Sequence, residues 1–150
     1  MTPVNLTLAA VAALAAAGAV RRGSTNTILS RKAVRDFAKS LERKHGITLE
    51  LSASVPKLVS EYEPQIVTLD SIFLKRDERR HGVGTAAMND LIDWADDNGI
   101  MLDLDPSTDF GATSVARLRR FYGRFGFKRN LGRNKDFRTR KAMIRMPRRK

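Results

Sequence analysis

The chain has 150 residues, 42% of them hydrophobic, enough for one domain with a sizeable core and too few for two comfortable ones. It contains no cysteine, which excludes disulfides, thiolate metal sites and a cysteine nucleophile and suits a reducing, cytoplasmic setting; His45 and His81 are the only imidazoles and lie far apart, so no metal site is expected. The net charge of +12 is unevenly placed: from Arg117 to Lys150 fifteen Lys or Arg face the single acid Asp136, a net of +14 that leaves −2 for residues 1–116, and such a block attracts polyanions or merely solvates a face.

Residues 4–20, "VNLTLAAVAALAAAGAV", are uncharged and carry eight alanines, a helix by propensity. The run is short for a spanning helix, and its arginines follow it, whereas a secretory signal carries charge ahead of the apolar run. Membrane contact and self-association through residues 4–20 are both open readings, and residues 1–25 are read as an Ala-rich helical segment before one domain over 26–150. No clear first strand is seen before residue 47. A second helix is expected from Ile28 to Lys44, with Ser30 as cap, Ala33, Val34, Phe37, Ala38 and Leu41 on one stripe, and His45-Gly46 as its stop.

"ITLELSAS" from Ile47 alternates apolar and polar residues and reads as a half-buried strand. After a loop marked by Pro56 and Pro64, Gln65–Leu74 reads as a longer, more buried strand. Residues 85–98 place Met88, Leu91, Ile92 and Ala95 at helical spacing and end at Asn98-Gly99. "IMLDLD" is another strand. Thr113 or Ser114 caps a helix running to Phe125, and "AMIRM" is a last strand. Strands alternating with helices from residue 65 onward specify an α/β sheet with an open crevice.

Between the long strand and the helix at 85 lies "RRHGVGTAAM", residues 79–88. A helix start exposes unpaired N–H groups at the positive end of its dipole, and glycines there let an anion approach. Gly82 and Gly84, with Arg79 and Arg80 beside them, therefore suit a phosphate-bearing ligand. The spacing is neither Gly-x-Gly-x-x-Gly nor a Gly-Lys-Ser/Thr phosphate loop.

From Leu74 the chain runs strand end, Arg79-x-x-Gly82-x-Gly84, amphipathic helix, strand, then a helix closing on Phe121-Tyr122-Gly123-Arg124-Phe125-Gly126-Phe127. Over residues 65–128 this order resembles the GNAT superfamily of acyl-CoA-dependent N-acetyltransferases. The resemblance implies a mixed sheet with flanking helices and a splayed central crevice, and acetyl-CoA as co-substrate without a metal. By the same resemblance, Arg79, Arg80, His81, Gly82, Val83, Gly84 and Thr85 wrap the pyrophosphate, mainly through backbone N–H groups. Ile72, Phe73 and Leu74 pair along the pantetheine arm as a further strand would, and Tyr122 sits near the thioester sulfur.

The reaction so implied is direct attack of an amine on the thioester in a ternary complex. A backbone N–H near Leu74 meets the oxyanion, Tyr122 protonates the thiolate, and Asp70, Glu63 or a water takes the amine proton. Two departures from the family stand out. Ser114 and Val115 occupy positions near which many members carry an asparagine, and residues 1–46 lack the usual opening strand. The acceptor is an amine of unspecified identity, and the basic segment 117–150 suggests nucleic acid or another polyanion as substrate or neighbour. Phe137 is the only aromatic after Phe127, so phosphate contact is expected over base stacking. The rival reading is a non-catalytic structural or nucleic-acid-binding protein of the same fold, packed into an assembly through its N-terminal helix.

Overall fold

The computed structural model describes residues 19–22, 26–54, 63–79, 81–109 and 114–148. Strands β1 (Ala19–Arg22) and β2 (Asn26–Leu29) form an antiparallel pair with Ala19 opposite Leu29. The expected N-terminal helix is thus replaced by strand at residues 19 and 20, while residues 4–18 lie outside the described residues. The same pairing takes Ile28 away from the second helix, because Thr27 and Ile28 are β-branched and favour extended backbone. Gln65, 3% exposed, ties this pair to the main sheet: its Oε1 accepts from Leu29 N at 2.8 Å and its Nε2 donates to Leu29 O at 2.9 Å.

Helix α1 (Arg31–His45) starts where Ser30 Oγ accepts from Ala33 N at 3.0 Å and stops at Gly46, φ 66°. It buries Ala33, Val34, Ala38 and Leu41. Strands β3 (Thr48–Ala53) and β4 (Ile66–Phe73) follow, then helix α2 (Val83–Asp97), β5 (Met101–Leu104), helix α3 (Val115–Gly123), β6 (Lys128–Arg129) and β7 (Met143–Arg145). The main sheet has the order β3-β4-β5-β7-β6, with β4 and β5 parallel and the other neighbours antiparallel. This is the mixed α/β sheet with flanking helices that the sequence led one to expect.

Every residue of β5 is buried, as a central strand covered on both faces requires. Helices α1 and α2 meet where Phe37 stacks on Trp94, with ring centroids 4.2 Å apart. Helix α3 ends two residues earlier than expected. Arg124, Phe125 and Gly126 donate to the carbonyls three residues back, Gly126 has φ 90°, and Phe125 still reaches the core. Strand β6, only two exposed cationic residues long, carries no apolar pattern by which it could be foreseen.

Candidate functional site

Strands β4 and β5 pair only over Ile66–Thr68 and Met101–Asp103. Beyond that point they diverge, and the register of β4 against β3 gives the cause. Glu50 faces Ser71 while Leu51 faces Leu69, so Asp70 is an extra residue with no partner, a bulge that bends the strand. At the apex of the divergence the buried Asp103 carboxylate accepts from Thr68 Oγ1 and from Thr139 Oγ1, each at 2.5 Å. Among the described residues, β4 has β3 on one side from Leu69 to Phe73 and no strand on the other. The splayed ends enclose a cavity of about 400 Å³ that reaches from Leu69 and Asp70 to Gly82, Thr85 and Tyr122.

The glycine turn forms one end of that cavity. Gly82 precedes α2 with φ 75° and no side chain caps the helix, whereas Ser30 and Ser114 cap the other two. The first intrahelical bond is Ala86 N to Gly82 O at 2.9 Å, so the N–H groups of Val83, Gly84 and Thr85 lie ahead of the ladder at the positive end of the dipole. A Cβ on Gly84 would lie 3.7 and 3.8 Å from the Leu74 methyls and 3.8 Å from Phe121 Cζ, ordinary contact distances. The chain's own packing therefore does not demand a glycine there. Arg79 Nε donates to Leu74 O at 3.2 Å and its guanidinium lies 5.7 Å from the Phe73 ring, bracing the strand end against the turn. Arg124, 5.1 Å over Phe121, lines both this cavity and an adjoining hollow of about 270 Å³ beside Thr85 and Arg148.

Tyr122 lines the cavity while only 7% exposed, with Phe121 and Phe127 edge-on at 5.3 and 5.8 Å. Burial pushes its hydroxyl pKa above the ordinary 10.0, and Oη has no hydrogen-bond partner among the described residues. Two carboxylates also line the cavity, Asp70 on the bulge and Asp105 just past β5. Asp105 Oδ1 accepts from Ala142 N at 2.8 Å, and Oδ2 pairs with Lys141 Nζ at 3.0 Å. That hydrogen bond raises the Lys141 pKa against the opposing effect of desolvation.

Of the residues singled out from the sequence, Ile72, Leu74, Arg79, Gly82, Gly84, Thr85 and Tyr122 meet around the cavity. Phe73 and His81 are exposed and do not line it, Val83 packs against the core, and Arg80 lies outside the described residues. Asp70 lines the cavity and Glu63 does not. Ser114 uses its hydroxyl to cap α3, accepting from Arg117 N at 3.1 Å. Arg124, Asp105 and Ser107 line the cavity without having been foreseen. Arg124 stands two residues after Tyr122 within the same aromatic motif, and Asp105 directly follows a strand whose end opens the crevice. No group of His, Asp and Glu suited to a metal occurs among the described residues, nor is any helix among them long and apolar enough to cross a membrane.

A family model described as the acetyltransferase (GNAT) family matches residues 43–127. The match runs from the end of α1 through the crevice to Phe127 and leaves out most of the basic segment, residues 128–150. The chain has no match among the curated proteins or the solved structures.

Proposed function

This chain belongs to the acetyltransferase (GNAT) family, and on that premise we propose that it moves an acetyl group from acetyl-CoA directly to an amine held near Asp70 and Asp105. The observation that carries the reading is a conjunction within one cavity: the open edge of β4, an uncapped glycine turn, and a buried tyrosine with an unengaged hydroxyl. The residues present fit the carrier. Val83, Gly84 and Thr85 offer N–H groups to its diphosphate, Arg79 and Arg124 add positive charge, and the free backbone groups of Leu69–Phe73 orient its amide-bearing arm.

Bound acetyl-CoA supplies the acyl group as an activated thioester. Tyr122 holds a proton at Oη throughout the neutral range, because burial disfavours its phenolate, and this is the proton a departing thiolate needs. An N–H at the Leu74 end of β4 is the donor for negative charge on the acyl oxygen. Asp70 rather than Glu63 accepts the ammonium proton, since it alone of the two faces the cavity.

Acetyl-CoA at about 100 times its Kd is expected to stabilise the folded chain by about 2.7 kcal/mol, a rise of several degrees in Tm. Tyr122→Phe keeps that rise and lowers kcat by about 10²-fold or more, read as labelled acetyl product by mass spectrometry. A Tm indifferent to acetyl-CoA overturns the reading, and undiminished turnover in Tyr122→Phe removes the proposed acid.

A further inference from the structure

The loop between β6 and β7 is held rigidly yet presents a bare ring. Buried Asn130 organises it: Nδ2 donates to the carbonyls of Asp136, Thr139 and Lys141 at 3.0, 3.4 and 3.3 Å, and Oδ1 accepts from Asp136 N at 2.7 Å. The Asp136 carboxylate in turn grips Arg138 through N, Nε and Nη2 at 2.9, 3.0 and 2.6 Å. Thr139 and Lys141 fasten the far limb to Asp103 and Asp105 at the crevice. On this scaffold Phe137 is 85% exposed, with Lys135 Nζ 5.5 Å from its centroid.

On the same loop and on β6 leading into it, Lys128, Arg129, Arg133, Lys135 and Arg140 are exposed and form no ion pair among the described residues. We propose that this loop is a platform for single-stranded nucleic acid, with one base stacked on Phe137 and the flanking phosphates on these cations. Scarcity of aromatics in the segment argues against stacking; what favours it is that the single ring is exposed, stands on a hydrogen-bonded loop and has Lys135 beside it, with further exposed cations on the same loop. A lone ring suits a base, which needs one π-face. A membrane surface or a protein partner takes a broader apolar face, and the loop exposes only Phe137 and Leu131 as large apolar side chains. Because Lys141 is paired to Asp105, the far limb of the loop borders the cavity. The proposal stands independently of acetyl-CoA binding.

The test is fluorescence anisotropy of a labelled 12-nucleotide oligouridine with the full chain, across a salt series. Phe137→Ala is expected to weaken binding roughly five- to hundredfold with the salt slope unchanged, and Phe137→Tyr to restore it. Arg133→Ala, Lys135→Ala and Arg140→Ala each lower the slope by about 0.7. A duplex of equal length is bound without regard to residue 137. Oligouridine binding that Phe137→Ala leaves intact overturns the proposal in favour of phosphate contact alone, and Phe137-dependent capture of phosphatidylserine vesicles without oligouridine binding overturns it in favour of a membrane. Absence of binding to all three probes also overturns it. In every variant the Tm rise with acetyl-CoA is recorded alongside, so failure here is distinct from failure of the acetyltransferase reading.

Discussion

Gly82 and Gly84 stand two residues apart and are glycines for different reasons. Gly82 adopts φ 75° with open space where a Cβ would go, so backbone conformation and not crowding selects it. Gly84 is helical, and the nearest atoms to a Cβ there sit at ordinary contact distance. Replacement by alanine should therefore act in opposite directions. Gly82→Ala is expected to cost about 1–2 kcal/mol for the left-handed backbone, and Gly84→Ala to gain about 0.5–1 kcal/mol from helix propensity, both read by denaturant unfolding. Gly84→Leu sends bulk into the cavity while leaving the fold in place, and should abolish the stabilisation by acetyl-CoA. If Gly84→Leu keeps that stabilisation, the turn is not where the diphosphate lies.

Elements were legible where a period and a stop coincided. The stripe of α1 with Ser30 before it and Gly46 after it, and the alternation of β3, follow from side-chain spacing alone, which is local. The β1–β2 pair and β6 did not show themselves, because each exists through a partner and neither carries an apolar stripe of its own. The same limit hid the lock between α2 and β7. Arg145, 2% exposed, meets Asp96 through Nη1 and Nη2 at 2.7 and 2.9 Å and donates from Nε to Phe125 O at 2.7 Å, while Arg148 N reaches Asp96 at 2.9 Å. Burial pushes the Asp96 carboxyl upward, but Arg145 and the Arg148 amide outweigh it and hold its pKa below 3.8. A depressed carboxylate stabilises the fold above its unfolded pKa, near 3.9, and that contribution disappears as pH falls through the folded value. Asp96→Asn leaves a buried guanidinium without its counter-charge and should cost about 3–5 kcal/mol at pH 7. The gap from wild type should close below about pH 4, as melting curves across pH will show; a constant gap would mean that shape and not charge holds this joint.

For the molecule as a whole, the crevice could be anticipated from the order of elements but its walls could not. It opens because Asp70 has no partner across β3 and because Asp103 ends the pairing of β4 with β5, and no local pattern marks a residue as surplus to a register. The charge distribution was legible in full, and the fold adds ion pairs that the sequence does not show. Arg138, Lys141 and Arg145 find Asp136, Asp105 and Asp96, and two of those acids come from outside the basic segment. With a net charge of +12, like charges repel one another across a small body. At 10 mM salt the Debye length of about 30 Å spans much of such a domain, and at 150 mM it is about 8 Å, so screening relieves repulsion over distance while the buried Asp96–Arg145 pair is little affected. Tm is therefore expected to rise by several degrees between 10 and 150 mM NaCl, most of it at the low end, and a short polyphosphate at micromolar concentration should produce the same rise at 10 mM salt. A Tm that falls with salt would show that attraction between opposite charges, and not the self-repulsion of the basic quarter, governs the electrostatics of the fold.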